Sequence, residues 1–394
     1  MKRLIALLLI LALSCAAIHA PAETTGGGGA GVDTAALDAA FSKMFKSYKT
    51  SGGALLIAKG DEVVYSLYYG MANKKAKKAV DENTVFKIAS VTKFVTGIHV
   101  MQLVEQGLLD LDEDISKYLG YKVQNPYKPK HPLTLRMLMT HTSSLDPHSG
   151  YSNLKYGLRF LISADRKARG NYYDEVPGSK YRYSNFGAGI MGSLIESVTG
   201  KNLNTSVTEG VFEPMGINAG YAASLIENPE DVSAIYKKNG ALYQSADRNI
   251  RAGWDDTVDP DKHYRITVGS LWIRPRDLMR LALLMCHQGT EEGVTLLQPE
   301  TVEEMMSEQK GKGAVTADTP YGLCVHHETS LVKGKTFYGH QGMFQDVLCD
   351  VYYDPETDFV FLLVTNGGNN SMNDHVTSLC RKTFALAWET YGAH

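Results

Sequence analysis

The most hydrophobic segment of the folded part of the chain is a helix-like run that begins near Phe86. Its apolar positions lie nearly all round a helix instead of along one stripe: Val91, Phe94, Val95, Ile98, Val100, Met101, Leu103 and Val104. Such a pattern is typical of a helix in a protein interior. Gly107 supplies a natural end. We therefore predict a buried central helix that stops before Gly107.

Apolar runs that predict β-strands lie near both ends of the chain, and helical patterns lie between and beside them. The predicted strands are Ala54–Ala58, Val63–Tyr69, Gly322–His326, Thr336–Gly339, Asp346–Tyr353 and Phe359–Thr365. The other predicted helices are Thr34–Tyr48, Leu133–Met139, Phe186–Val198, Pro275–His287 and Asn373–Trp388. The tyrosine-rich stretches 121–131 and 151–183 predict long surface loops.

This order of elements predicts an α+β fold. The N- and C-terminal segments together would form one antiparallel sheet flanked by helices. The middle of the chain would form an inserted helical subdomain, with a cleft where the two parts meet. The length of 394 residues is ample for such an arrangement.

The N-terminus has the pattern of an export signal. Lys2 and Arg3 precede an apolar run from Leu4 to Leu13 that is too short to span a membrane. Cleavage after the small-x-small sequence that ends at Ala22 would make residues 1–22 a signal peptide. Alternatively, Cys15 would become the lipidated first residue of a lipoprotein, the route we slightly favour.

Residues 23–32 are glycine-rich and predict a flexible tether, which leaves 33–394 as the catalytic domain. We expect an exported protein, either periplasmic or lipid-anchored at the cell envelope. The net charge of −3 gives no reason to expect a nucleic-acid partner. Of the four cysteines that follow the tether, none can be paired from sequence, and buried thiols are the default expectation.

Ser90 and Lys93 are the candidate nucleophile and base. Their three-residue spacing places them on one face of the buried helix. A serine hydroxyl needs a neighbouring base before it can attack a carbonyl carbon, and burial should lower the pKa of a lysine towards the range useful for a base. The same spacing at Ser152/Lys155, Ser307/Lys310 and Ser330/Lys333 shows that the pattern alone is weak. Those three pairs lie in polar surroundings typical of a solvated surface.

Two further motifs carry candidate site residues. Tyr183 and Asn185 stand just before an apolar helix, which could aim a phenol and an amide at one point, although Tyr183 could equally anchor the helix with its ring. His340 and Gly342 lie in a late strand, where glycine often marks the close approach of a ligand or of another backbone. His340 could contact substrate or be a partly exposed edge residue. The histidines show no metal-ligand spacing, so we predict no metal and no cofactor.

Together the three motifs resemble those of the serine β-lactamase and penicillin-binding protein superfamily. The resemblance is strongest to its class C β-lactamase-related branch of esterases and D-aminopeptidases. It also covers 107–114, 133–143, 268–277 and 366–368. It implies that Ser90 is the nucleophile, Lys93 its base partner and Tyr183 the group that assists proton transfer to the leaving group. It further implies that Asn185 binds the carbonyl side of a small-molecule or peptide substrate, and that backbone N–H groups of Ser90 and Met343 form an oxyanion hole.

The chain departs from that family at one charged position. The lactamases and transpeptidases have Lys-Thr-Gly where this chain has His340-Gln341-Gly342. A histidine with an ordinary pKa of about 6.5 is mostly neutral at pH 7, which favours neutral esters or amides over carboxylate-bearing β-lactams. Three functions remain open: an esterase or peptidase, a true β-lactamase or D-Ala-D-Ala carboxypeptidase, and a binding protein that has lost turnover.

Overall fold

The computed structural model describes residues 32–392 except 147, 149, 154, 165–168, 310–319 and 374–375. The predicted signal peptide, the lipidation site Cys15 and nearly all of the predicted tether lie outside the described residues and stay predictions. The helices in the described part are α1 Thr34–Ser47, α2 Thr92–Glu105, α3 Ser116–Leu119, α4 Leu135–Met139, α5 Leu158–Ile162, α6 Asn185–Thr199, α7 Leu203–Val207, α8 Ala246–Arg251, α9 Pro275–Cys286, α10 Pro299–Met306 and α11 Ser378–Ala387. None of these helices has the length and apolar character needed to cross a membrane.

The strands are short in the middle of the chain and long near its ends. They are β1 Gly52–Lys59, β2 Glu62–Asn73, β3 Lys78–Ala79, β4 Phe86–Lys87, β5 Ala219–Gly220, β6 Ile235–Tyr236, β7 Leu242–Gln244, β8 Trp272–Ile273, β9 Thr290–Glu291, β10 Val294–Thr295, β11 His326–Glu328, β12 Phe337–Phe344, β13 Val347–Asp354, β14 Phe359–Thr365, β15 Met372–Asn373 and β16 Val376–Thr377.

Seven strands form one antiparallel sheet in the order β11-β12-β13-β14-β1-β2-β3. The N-terminal hairpin therefore joins the C-terminal meander through the β1–β14 pair, in which Leu55 lies opposite Leu363. Strands β13 and β14 are buried along their whole length, because both faces of the sheet are covered by helices. The predicted α+β fold built from the two ends of the chain is confirmed.

Each face of the sheet packs against a separate apolar cluster. Helices α1 and α11 cover one face, where Phe41, Phe45 and Phe384 are buried. The other face joins a larger cluster that includes the central helix α2 and the helices of the inserted part. Helix α2 is buried from Thr92 to Leu103, as its all-round apolar pattern predicts. All four cysteines of the folded part are buried free thiols, which confirms the default expectation.

Several predicted boundaries were wrong, and local backbone geometry explains the clearest case. The predicted strand Gly322–His326 is mostly irregular, because Cys324 has a φ of 58°. That left-handed conformation cannot continue a strand, so β11 begins only at His326. Helix α11 begins at Ser378 instead of Asn373, since the Thr377 hydroxyl accepts a hydrogen bond from the Cys380 N–H and caps it. The predicted loop over 151–183 also contains the short helix α5.

Helix α6 packs closely against a 3₁₀ segment, His263–Val268. A Cβ at Gly189 would collide with the carbonyl oxygen of Tyr264, and Gly192 lies against the same segment. Glycine is therefore required at Gly189 by a backbone approach and not by its dihedral angles. This contact fixes the position of the 3₁₀ segment relative to the helix that follows Tyr183.

We expect Gly189→Ala to destabilise the protein even though alanine is the better helix former. Helix propensity favours alanine by about 1 kcal/mol, whereas overpacking against a backbone costs about 1–3 kcal/mol. Because the clash is with a backbone oxygen that cannot move aside freely, the cost should lie at the upper end, which leaves a net loss of about 2 kcal/mol in the free energy of unfolding, measured by urea denaturation. Gly170→Ala is the matched control, because a Cβ at Gly170 has nothing within 4 Å. Equal stability of the two variants would contradict the packing argument.

Candidate active site

Ser90 lies in a tight turn at the start of the central helix. It belongs to a 3₁₀ turn, Ala89–Val91, which runs directly into α2. Ala89 has a φ of 46°, a left-handed conformation that costs a residue with a Cβ about 1–2 kcal/mol. Backbone strain of this kind tends to be kept where a side chain must be held in an unusual position. Here it presents a partly exposed Ser90 at the end of an otherwise buried helix.

Lys93 is fully buried and points at Ser90. Its Nζ donates hydrogen bonds to Ser90 Oγ at 3.1 Å and to the carbonyl oxygen of Val268 at 2.6 Å. Within the described residues, no carboxylate lies within 4 Å of this amine. A lysine buried without a carboxylate is costly, so the arrangement serves something other than packing. Val268 is the last residue of the 3₁₀ segment that packs on α6. The sequence analysis did not predict its contact with Lys93.

Tyr183 stands beside this pair in an extended segment before α6. Its ring is 36% exposed, and Lys93 Nζ lies 5.2 Å from the ring centroid. The Ser184 side chain caps α6 by accepting a hydrogen bond from the Gly187 N–H. The structure thus brings Ser90, Lys93 and Tyr183 together around one partly exposed point.

His141 makes three contacts that position Tyr183. The sequence analysis did not select His141 as a site residue. Its ring lies 4.2 Å from the Tyr183 ring, centroid to centroid. Its Nδ1 accepts a hydrogen bond from the Ser184 N–H at 3.2 Å, and its carbonyl oxygen accepts one from the Arg182 N–H at 2.8 Å. One residue therefore fixes the peptide on both sides of Tyr183 as well as its ring.

Burial keeps the His141 ring neutral. Burial, with the positive charge of Lys93 as the second cause, lowers the pKa of His141 to about 3. Because Nδ1 accepts a hydrogen bond, the proton lies on Nε2, which has no partner in the described structure. His141 also has a φ of 57°. The one available sequence signal was its place beside a threonine- and serine-rich turn, which does not reveal a contact with a residue 42 positions away.

Asn185 is the first residue of α6 and faces the same region. The ring of Tyr151 stacks on that of Phe186, the next residue, with 5.3 Å between the ring centroids. The Asn185 Oδ1 is buried and has no partner among the described residues. An amide oxygen in this position can accept a hydrogen bond from an N–H group of a bound molecule. Tyr151 therefore lies beside the start of α6.

Strand β12 passes directly over the turn that carries Ser90. A Cβ at Gly342 would lie 2.9 Å from the Ser90 nitrogen and 3.0 Å from the Val91 nitrogen. Only glycine allows this approach. Met343, the next residue, is partly buried in the last part of β12. The predicted close approach at Gly342 is thus to the backbone of the candidate nucleophile.

His340 does not have the surroundings that the sequence suggested. It is 3% exposed, its Nδ1 donates to the Gln341 carbonyl oxygen at 2.6 Å, and its Nε2 accepts from the Tyr321 hydroxyl at 2.9 Å. Burial first, and Lys93 second, lower the pKa of His340 well below its ordinary value. The prediction of an ordinary pKa was wrong, although the ring is neutral at pH 7 as expected. Its contacts are with Tyr321, which sequence reasoning did not select.

The described residues contain no group of three or more histidine, cysteine, aspartate or glutamate side chains placed to hold a metal ion. The chemistry that this arrangement can perform is a nucleophilic attack by Ser90. A neighbouring amine and phenol could move protons, and two backbone N–H groups near Gly342 could stabilise an oxyanion.

Comparison with known proteins agrees with this geometry. The chain is 30% identical over 203 residues to Esterase EstB of Burkholderia gladioli, which covers 46% of this chain and 50% of that protein. It is 25% identical over 356 residues to an Escherichia coli K12 protein assigned as a D-alanyl-D-alanine carboxypeptidase, covering 81% of this chain and 79% of that one. The chain thus spans about half the length of EstB but most of the E. coli protein.

Solved structures show the same fold. The octameric penicillin-binding protein homologue from Pyrococcus abyssi superposes with a TM-score of 0.70 at 21% identity, over 91% of this chain and 77% of that one. The family model described as Beta-lactamase matches residues 37–378, which include every candidate site residue discussed above. The chain therefore belongs to the beta-lactamase family.

Proposed function

We propose that this protein is an exported serine hydrolase that forms an acyl-enzyme on Ser90 and cleaves an ester or amide bond. The observation that carries the proposal is the 3.1 Å contact between Lys93 Nζ and Ser90 Oγ, in a site where the lysine has no carboxylate partner among the described residues. The esterase among its relatives supports an ester substrate. The export signal at residues 1–22 and the alternative lipid anchor at Cys15 are part of the proposal and rest on sequence alone.

The first step moves the Ser90 hydroxyl proton to Lys93. The carbonyl oxygen of Val268 accepts one Lys93 N–H, so the lone pair of the unprotonated amine can face Ser90 Oγ. Ser90 Oγ then forms a bond to the substrate carbonyl carbon. Backbone N–H groups of Ser90 and Met343 hold the resulting oxyanion, and each such donor is worth about 2.7–4 kcal/mol in transition-state stabilisation.

The second step breaks the bond to the leaving group. Tyr183 delivers a proton to the departing oxygen or nitrogen and recovers one from Lys93, whose Nζ lies 5.2 Å from its ring centroid. Asn185 Oδ1 accepts a hydrogen bond from the substrate on the carbonyl side. Water, activated by the same groups, then hydrolyses the acyl-enzyme and restores Ser90. Acyl transfer to another acceptor follows the same route.

The second candidate function is a true β-lactamase or a D-Ala-D-Ala carboxypeptidase, favoured by the long match to the E. coli protein. The position of His340 argues against it. A neutral, buried ring that is bonded to Tyr321 offers no fixed positive charge to a substrate carboxylate near the leaving group. A non-catalytic binding homologue remains the third alternative, and the intact Ser90–Lys93 contact argues against it.

The first test removes the proposed nucleophile. Ser90→Ala should abolish covalent labelling by a fluorophosphonate probe and lower ester turnover at least about 10⁴-fold, since the remaining groups cannot form an acyl-enzyme. Intact-mass detection of the adduct checks the label. Ser330→Ala is the matched control, because Ser330 lies in another Ser-x-x-Lys pair and its hydroxyl bonds Glu328. Labelling of a folded Ser90→Ala protein would overturn the proposal.

A second test concerns the base. Lys93→Arg should lower kcat/KM for a 4-nitrophenyl ester about 10²–10⁴-fold, because a guanidinium cannot give up its proton. Lys333→Arg is the control, since Lys333 is exposed and follows Ser330 at the same spacing. Circular dichroism establishes that both variants fold. A Lys93→Arg enzyme with a near-normal rate would place the base elsewhere.

The third test examines how His141 positions Tyr183. His141→Phe keeps a ring beside Tyr183 but leaves the buried Ser184 N–H without an acceptor, a loss of about 1–3 kcal/mol. We expect kcat to fall about 10-fold or more with little change in KM. His141→Asn should recover part of the rate, because its side-chain oxygen can accept that hydrogen bond and asparagine tolerates a positive φ. An unchanged kcat in folded His141→Phe would contradict the positioning role.

A further inference from the structure

Lys87 is a second buried lysine close to Ser90 that the mechanism above does not use. It ends β4, three residues before Ser90, and lies directly opposite Trp272 in β8. Its Nζ lies 5.5 Å from the centroid of the Trp272 ring and 5.6 Å from the centroid of the Phe344 ring. The side chain is neither fully buried nor freely exposed. Its ammonium therefore lies near the faces of two aromatic rings and is partly exposed.

This ammonium lacks a counter-ion. No carboxylate of the described residues lies within 4 Å of it. Burial is the one cause that lowers the pKa of Lys87, to about 8, and no charged neighbour contributes. The two rings stabilise the cation only in part, which does not replace the hydration that is lost. A site of this kind favours an incoming anion.

The position of Phe344 places this ammonium on the cleft side of the sheet. Side chains alternate along a strand, so His340, Gly342 and Phe344 share one face of β12. Gly342 lies over the Ser90 nitrogen on that face. Phe344 is two residues further along, a distance of about 7 Å. Lys87 is therefore at the Phe344 end of the cleft, next to the place where an oxyanion would be held.

The two ends of the cleft differ in chemistry. Tyr183 and His141 lie at the His340 end, since the His141 ring is 4.2 Å from the Tyr183 ring and 5.1 Å from that of Tyr321, centroid to centroid, and Tyr321 bonds His340. The group that donates a proton to the leaving group is at that end. The leaving group and the acyl substituent point away from each other at a carbonyl carbon. The acyl substituent therefore extends towards Phe344, Trp272 and Lys87.

We propose that Lys87, between Trp272 and Phe344, binds a carboxylate on the acyl part of the substrate. The preferred substrates are then half-esters or half-amides of short dicarboxylic acids, in which the bond cleaved is three to four carbons from the free carboxylate. This inference rests on the proposed function, in that Ser90 must accept the acyl group. It assigns Lys87 to specificity and not to the proton transfers.

The test compares two esters that differ in one charge. They are the 4-nitrophenyl monoester of glutaric acid and 4-nitrophenyl pentanoate, and the quantity measured is the ratio of their kcat/KM values at pH 7. Lys87→Met should lower the anionic-to-neutral ratio about 10-fold or more, since a hydrogen bond to a charged group is worth about 1.5–3 kcal/mol. Lys87→Arg should keep most of the ratio. Lys130→Met, a change at an exposed lysine in a loop, should leave it unaltered.

The pH dependence of this kcat/KM ratio distinguishes carboxylate binding by Lys87 from a purely structural role. In the parent protein the ratio should fall as pH rises through about 8, where Lys87 loses its proton. In Lys87→Arg the ratio should hold to pH 9, because arginine stays charged. These two profiles test the inference even if Lys87→Met does not fold. A parent ratio that is flat across pH 7–9, or one that Lys87→Met leaves unchanged, overturns it.

A binding measurement separates failure of this inference from failure of the proposed function. Glutarate is titrated calorimetrically into Ser90→Ala and into the Ser90→Ala, Lys87→Met double variant, neither of which needs to turn over. Weaker binding to the double variant supports the carboxylate subsite even if neither ester is hydrolysed by the parent, in which case the proposed function fails alone. Equal binding to both variants overturns the subsite.

Discussion

The structure depends on keeping Lys93 buried with two hydrogen-bond acceptors and, in the part of the chain that the structure describes, no carboxylate partner. One acceptor, Ser90 Oγ, comes from the same helix at a spacing that the sequence shows. The other, the carbonyl oxygen of Val268, comes from a segment 175 residues later. That segment can reach Lys93 because Gly189 of α6 has no Cβ and so leaves room for the carbonyl oxygen of Tyr264. The helix that follows Tyr183 and the backbone that orients Lys93 are therefore one packed unit.

The sequence predicted those parts of the fold and site that depend on local pattern. An all-round apolar helix had to be central, strands at both ends had to share a sheet, and Ser90 and Lys93 had to face each other. It could not predict contacts set by tertiary packing. His141, Val268 and Tyr321 contact site residues that are far away in the chain. The family resemblance covers the segments that contain His141 and Val268, but it does not indicate these contacts. The glycines around His340 indicated a close approach but not that the ring would be buried.

The left-handed backbone of Ala89 and the close approach of Gly342 to Ser90 have a common cause. The Gly342 backbone of β12 must lie within a van der Waals contact of the Ser90 nitrogen if two N–H groups are to converge on one oxygen. The turn that presents Ser90 there requires the left-handed conformation of Ala89. In the proposed mechanism, the strain of about 1–2 kcal/mol is small beside the stabilisation of about 2.7–4 kcal/mol that each donor of the oxyanion hole would provide. The geometry is therefore consistent with selection for chemistry at this point and not for stability.

The distribution of positive charge accounts for the neutral histidines. A second fixed cation at position 340 would face Lys93 in a buried site, where like charges repel strongly because water does not screen them. This chain has a histidine there, and burial together with Lys93 keeps it neutral. His141 is kept neutral by the same two causes. Its Nδ1 therefore remains a hydrogen-bond acceptor for the Ser184 N–H across the physiological pH range. The second cation of the cleft, Lys87, lies instead beyond Gly342, beside rings whose faces tolerate charge. In the proposed mechanism, the Ser90 proton can therefore pass to Lys93 without a fixed positive charge at position 340 beside the amine.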